Sequence, residues 1–465
     1  SWEALKQTSK AFYDQAGLGG SDFKKDTYKV YMSASFKLVE VNFEKDKDYG
    51  RAADGFVAFA KEFPDAEITP QALNNAAAYY NNSARIADSM AVRHLLIDDP
   101  KYGTKTKYYY DQIGYLGFDY ENIANFDMAA TLYEKLWALT PAEKKKPENA
   151  AKVEEIEKKA ATALYSAAVF RKGLGQTDKA VEDYNAFAAA FPNDDRTPNV
   201  KITVGKTFEE QGRSQDALNV YQAYYKTPPA NAPIEFVYFA RLHAGQMLEK
   251  LGKAKERDAV YKETVAAYDK YVKGGGAAGP QTEFVAEMMF VLAQPQLDAY
   301  TALKIKGPGR GASQKAEDKA LIDSLSKKAK SLVDVEKIFL PVVETGAGEW
   351  GLASLVALGK AYENMAESLR TGDVPSYLTD DQREFYMMGI EDKAYVQEEK
   401  AVNAYKLALE KSYQLTIYNE NTAYATRQLG VLRPDDFPGL TEQLLDPRWT
   451  SQKAGATASD FEKSL

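Results

Sequence analysis

Apolar residues along this chain recur at intervals of three and four. Nowhere do they alternate one by one over the length of a strand, so the expectation is a chain that is nearly all helix. The stretch from 110 to 141, YDQIGYLGFDYENIANFDMAATLYEKLWALTP, sets the pattern. Leu116, Gly117 and Tyr120 share one helical face, because offsets of three and four bring side chains together. A polar break near Asn125 separates them from a second stripe of Ala129, Tyr133 and Leu136, which Pro141 is expected to end. A mid-helix glycine costs about 1 kcal/mol relative to alanine. Gly117 therefore implies close approach of the second helix, with Ala129 as the small residue opposite.

The second-helix offsets of four, three and five recur four times, beginning at Ala52, Ala129, Ala180 and Ala217. They give Phe56, Phe59 and Pro64; Tyr133, Leu136 and Pro141; Tyr184, Phe187 and Pro192; Tyr221, Tyr224 and Pro229. Three copies follow a small-residue first helix: Gly117, Ala167–Ala168 and Gly205. A fifth copy reads Leu242, Gly245, Leu248 and Tyr261, with Arg257 in the small-residue slot. Thr69–Pro70 opens a degenerate unit, in which Asp88 takes that slot. The copies start 77, 51 and 37 residues apart, so the array is irregular.

This spelling resembles the tetratricopeptide repeat, L-G-x2-Y, then A-x3-F, then P. The resemblance implies an all-α, right-handed superhelix of helix pairs, with the first helices lining a concave face. It also implies a non-enzymatic scaffold or adaptor that binds a protein or peptide. A second, looser resemblance is to repeat proteins of bacterial envelope machinery, of the gliding-motility and Tol-associated type. It rests on WGLASLVALGKAYEN at 350–364 and IYNENTAYA at 417–425.

The expected layout is a leading helix over 1–32 and a helical array over 33–272. A glycine-rich break with one helix follows over 273–315. A second, degenerate array covers 316–450, and 451–465 form a mobile tail. Gly-rich runs at 273–280 and 306–311 place the break. In the second array Leu358, Gly359 and Tyr362 restore the spelling. A last unit is read in Phe385, Met388 and Gly389, followed by Ala401, Tyr405 and Ala408.

Charge and composition narrow the function. The net charge of −8 argues against general nucleic-acid binding and against adhesion to an anionic membrane. No apolar run reaches the roughly 18 residues of a membrane span. The chain has no cysteine, which excludes disulfides, thiol catalysis and cysteine-ligated zinc. That suits an oxidising compartment, and the periplasm is the expectation, although many cytosolic chains share the trait. A first residue of serine rather than methionine suggests a processed product or a fragment.

No catalytic, metal or cofactor site is expected. His94 and His243 are the only histidines, and neither sits at metal-ligand spacing. Glu44, Asp46, Asp48 and Gly50 echo the start of a calcium loop, but its terminal glutamate is Gly55 here. The expected partner surface lies on first-helix residues off the packing face: Tyr165, Val169 and Lys172, then Ile202, Lys206 and Glu209, then Gln246 and Glu249. Two rival classes remain. One is a helical-repeat enzyme or ligand-binding protein acting on carbohydrate or peptidoglycan, which needs an acidic cleft with aromatic walls. The other is a self-assembling structural protein.

Overall fold

The computed structural model describes residues 1–309 and 311–438. Among these the regular structure is helical, with eighteen α-helices, two short 3-10 turns and no strand. The expected tail, 451–465, and the last residues of the second array lie outside the described residues.

The described residues form two compact units, divided between Ala232 and Pro233. The first holds α1 (Trp2–Asp14), α2 (Ser21–Asp46), α3 (Tyr49–Glu62), α4 (Thr69–Asn82), α5 (Ile86–Asp98), α6 (Tyr109–Asn122), α7 (Phe126–Glu143), α8 (Val153–Gly173), α9 (Thr177–Ala190), α10 (Thr197–Glu210) and α11 (Ser214–Lys226). The second holds α12 (Ile234–Lys250), α13 (Ala254–Lys273), α14 (Gln281–Ala302), α15 (Gln314–Glu344), α16 (Gly348–Arg370), α17 (Asp380–Leu415) and α18 (Glu420–Leu432). Within each unit, substantial contacts join helices that are neighbours, or next but one, in the chain. That is the packing of a helical repeat, in which each pair completes its core against the next. The boundary was expected within 273–315. Contacts thin out earlier, between Ala232 and Pro233, because α12 packs with α13 and α14.

Five helix pairs share one turn. Ala84, Ala124, Gly175, Gly212 and Gly252 each stand in the left-handed region, at φ of 58, 58, 72, 70 and 73°. In each case the next residue's N–H donates to a carbonyl five residues back: Arg85 to Tyr80, Asn125 to Tyr120, Gln176 to Arg171, Arg213 to Phe208 and Lys253 to Leu248, at 2.8–2.9 Å. This is a Schellman cap, which satisfies the last carbonyls of the first helix and reverses the chain within three residues.

The turn fixes the joint between the two helices. Tyr133 packs on Gly117, Tyr221 on Gly205 and Tyr261 on Gly245, each tyrosine sixteen residues after its glycine. A methyl group at those glycines would lie 2.7, 2.4 and 2.0 Å from the facing ring. The same contact joins Gly359 to Tyr405, where a methyl would approach to 2.3 Å. The tyrosine hydroxyls find acceptors, as buried hydroxyls must. Tyr133 donates to Glu121 at 2.8 Å and Tyr221 to Glu209 at 3.1 Å. Tyr405 donates to Glu363, and Tyr261 to the Leu242 carbonyl at 3.2 Å. The other residues expected to pack the repeats, Leu116, Ala129, Leu136, Ala180, Tyr184, Phe187, Ala217 and Tyr224, are buried. Tyr120 is half-buried and packs against the core around α6 and α7.

Three local expectations need correcting. Asp88 does not take the small-residue slot. The turn at Ala84 sets the register one residue later, and the buried Ser89 fills the slot, its hydroxyl donating to the Ala77 carbonyl at 3.0 Å. Pro141 does not end α7. It lies within the helix, which runs to Glu143. The third concerns Phe385, Met388 and Gly389, which do not fold back on Ala401 and Tyr405. No glycine or proline separates them, so all belong to the single 36-residue helix α17. The partner of Tyr405 is instead Gly359 on α16.

Candidate peptide-binding groove

The structure scatters the residues expected to bind a partner. Ile202 is buried, at 2% exposure, so it belongs to the core and is removed from the surface set. Tyr165 leans on Phe187 and Tyr184, with the Arg196 guanidinium 5.1 Å from its ring. Lys172 pairs with Glu210 at 3.2 Å, and Glu209 accepts the Tyr221 hydroxyl. Gln246 donates to Glu287 at 2.7 Å, and Glu249 accepts from Arg257. Lys206 is exposed but engaged within the chain, while Val169 stays 39% exposed. Most of these side chains hold the repeats together.

A groove in the first unit lies between the first helices α6 and α8, with α7 as its floor. It is an open groove of about 580 Å³. Gly114 and Phe118 line it from α6, Tyr133 and Leu136 from below, and Thr162, Ala163 and Ser166 from α8. Phe118 is 49% exposed, a large apolar surface to leave in water. Glu121, Glu155, Lys158 and Lys159 supply both signs of charge. Lys159 reaches Asp111 at 2.5 Å and lies 4.9 Å from the Tyr115 ring. Gly114 leaves room for this lysine, since a methyl there would sit 3.1 Å from its Cε.

An electrostatic hub ties α8 to α7, one wall of the groove to its floor. Arg171 of α8 is 1% exposed. It donates to Glu134 at 2.5 and 2.9 Å, to Asp127 at 2.6 Å, to Thr131 at 3.0 Å and to Gln176 at 2.8 Å. Asp183 of α9 faces the same cluster, with one carboxylate oxygen buried and without a hydrogen-bond partner. Burial, and then the Glu134 charge, push its carboxyl up to about 7, against the pull of Arg171.

Sequence reasoning missed the groove because it credited α6 with one apolar face. The signal was present. Tyr115 and Phe118 lie off the Ile113–Leu116 stripe, so α6 is apolar on two sides, which a simple surface helix does not need.

The second unit has an open cleft of about 450 Å³ walled by Phe284 and Trp350, with Glu283, Glu287 and Glu349 on its surface. The Gly348 N–H donates to Glu283 at 2.7 Å. Burial raises the Glu287 carboxyl above its usual range; Glu349 adds to the effect, while Gln246 and His243 oppose it. Among the described residues no group of three or more His, Cys, Asp or Glu side chains is arranged to hold a metal ion. Asp48 of the calcium-like stretch caps α3, accepting the Arg51 N–H at 2.9 Å. No described helix is long and apolar enough to cross a membrane.

No family model and no curated protein matches the chain. Solved structures do. BtubC (BKLC) from P. vanneervenii is 12% identical, with a TM-score of 0.26 over 54% of this chain and 92% of that one. A tetratricopeptide repeat protein from Parabacteroides merdae is 14% identical, with a TM-score of 0.24 over 62% and 98%. The P58(IPK) TPR domain is 13% identical, with a TM-score of 0.23 over 87% and 97%. At these values the likenesses add nothing to what the helix contacts establish.

Proposed function

We propose that this chain is a protein-binding scaffold whose partner lies in the groove between α6 and α8. The observation that supports it most is Phe118, an aromatic ring half in water above a floor of Tyr133 and Leu136, edged by Thr162, Ser166 and charges of both signs. Apolar anchors within a polar rim are what a polypeptide partner uses. An extended segment or a short helix fits such a groove better than a small molecule, which prefers enclosure.

Capture from source cells with the full chain tests this. Wild type should retain a partner that the Phe118→Ser and Ser166→Arg variants lose, with helix content unchanged. Equal capture by all three would place the partner elsewhere. The earlier candidates Lys172 and Lys206 suit this test poorly, because both are engaged within the chain.

The finer reading sets the scaffold in a bacterial envelope complex on the periplasmic side. The absence of cysteine and the stretches 350–364 and 417–425 are its support. Cell fractionation decides it, and recovery with cytosolic proteins would end it.

A ligand-binding reading has one observation in its favour, the cleft of Glu287, Glu349 and Trp350. Aromatic walls with carboxylates suit a sugar or a cationic group. Quenching of tryptophan fluorescence by oligosaccharides, lost in Trp350→Leu, would support it. No quenching by any sugar would remove it.

A further inference from the structure

Helical glycines in this chain have a recurring use. Gly117, Gly205, Gly245 and Gly359 each lie under a tyrosine of another helix, as described above. Gly389 of α17 sits mid-helix too, yet among the described residues nothing lies within 4 Å of where its Cβ would be. Its surroundings keep the spelling of a first helix. Phe385, Met388, Gly389 and Val396 fall at helical spacing on one face. Phe385 is 79% exposed, Met388 63% and Val396 54%. The opposite face is already occupied: Ile390 packs against the core around α15 and α16, and Tyr386 and Met387 border a cavity of about 260 Å³ with Leu321 and Leu325.

Among the described residues this stretch is therefore a first helix without a second. Ala401 stands 42 positions after Gly359, where the repeats place the second small residue 12 positions after the first. The surplus lengthens α16 and α17, and no other described helix lies over Phe385, Met388 and Gly389 on the outer face.

Charge says what covers it. Residues 380–393 hold five acids and two bases. Asp392 lies within the apolar stripe, with Asp381 and Glu384 at its amino end. Glu391 is tied to Arg370, but none of those three acids has an ion-pair partner among the described residues. A second copy of this face would set like charges together.

We infer that the outer face of α17 docks a helix from another protein. That helix is bulky and apolar where it crosses Gly389, and carries Lys or Arg toward Asp381, Glu384 and Asp392. It supplies in trans the second helix that the other repeats hold in cis. This surface does not depend on the groove between α6 and α8.

The test uses the full chain and two labelled amphipathic peptides of about five helical turns, one of Leu and Lys and one of Leu and Glu, followed by fluorescence anisotropy. The Leu/Lys peptide should bind about tenfold more tightly than the Leu/Glu peptide. Phe385→Ser with Met388→Ser should weaken it about tenfold, and so should Gly389→Gln. Phe118→Ser should leave it unchanged, which separates this surface from the groove. Gly389→Ala keeps the variants interpretable: it should raise the melting temperature while weakening the peptide, opposite signs that misfolding does not produce. Equal binding of the two peptides, or α17 variants that bind like wild type, would overturn the proposal. So would a dimer, measured by mass, that the same variants dissociate.

Discussion

At the scale of the residue, the joint of Gly205 and Tyr221 shows what one methyl group decides. The ring occupies the space a side chain would take, and its hydroxyl reaches Glu209. Helix propensity favours Gly→Ala by about 1 kcal/mol, but overpacking costs about 1–3 kcal/mol. The second term wins at Gly205, where the clash is with a buried ring. Gly205→Ala should lower the melting temperature in calorimetry and Gly389→Ala should raise it, so the same substitution reports opposite environments. Asp183 gives a residue-scale pH effect. Its pKa stands near 4 when unfolded and about 7 when folded. The native state thus holds the proton more tightly, and the stability this brings is full below about pH 4 and lost as pH rises to about 7. Asp183→Asn should therefore stabilise the protein at pH 8, with a gain that shrinks steadily toward pH 4 in parallel thermal melts. The Gly and Tyr positions were legible in the sequence, because few other residues fit a closely approached helix. Asp183 was not, since its environment comes from Glu134 and Arg171 on two other helices.

At the scale of the element, the capped turns set the register of each pair. Two of the five put alanine where φ is 58°, at Ala84 and Ala124. A left-handed alanine costs about 1–2 kcal/mol. Ala124→Gly should accordingly raise the free energy of chemical unfolding by a comparable amount, and a lower value would show that the turn is not the strained point. These alanines also explain a misreading. Without a glycine to mark the turn, the α4–α5 register slipped by one residue, and Asp88 was placed where Ser89 sits. The α17 helix was misread for a related reason: a first-helix spelling predicts a partner helix only if a turn follows within a few residues, and none does. The helices themselves, and four of the joints, were readable because spacing of three and four reports helix and face directly. The groove was legible only in part: the second apolar side of α6 shows in the sequence, but its pairing with α8, 30 or more residues on, does not.

At the scale of the molecule, tyrosine is the shared fastener. Burial holds the hydroxyls of Tyr133, Tyr221, Tyr261 and Tyr405 protonated well above their ordinary range, and pushes Tyr80 and Tyr184 up to about 12. A raised folded pKa contributes stability that is complete below about pH 10 and disappears above it. Helicity should be constant to about pH 10 and then collapse, with the buried phenols ionising only as the helices melt. The all-helical, stacked architecture was legible in periodicity alone, whereas the boundary at 232 was not, because glycine-rich runs mark flexible sequence rather than the place where packing stops.

The groove between α6 and α8 carries the functional account, and a photoreactive phenylalanine analogue at position 118 tests it most directly. Irradiated in source cells, it should join the chain covalently to one recurring protein, while the analogue at Tyr418 should not. Adducts at both positions alike, or none at 118, would contradict a scaffold that receives its partner there.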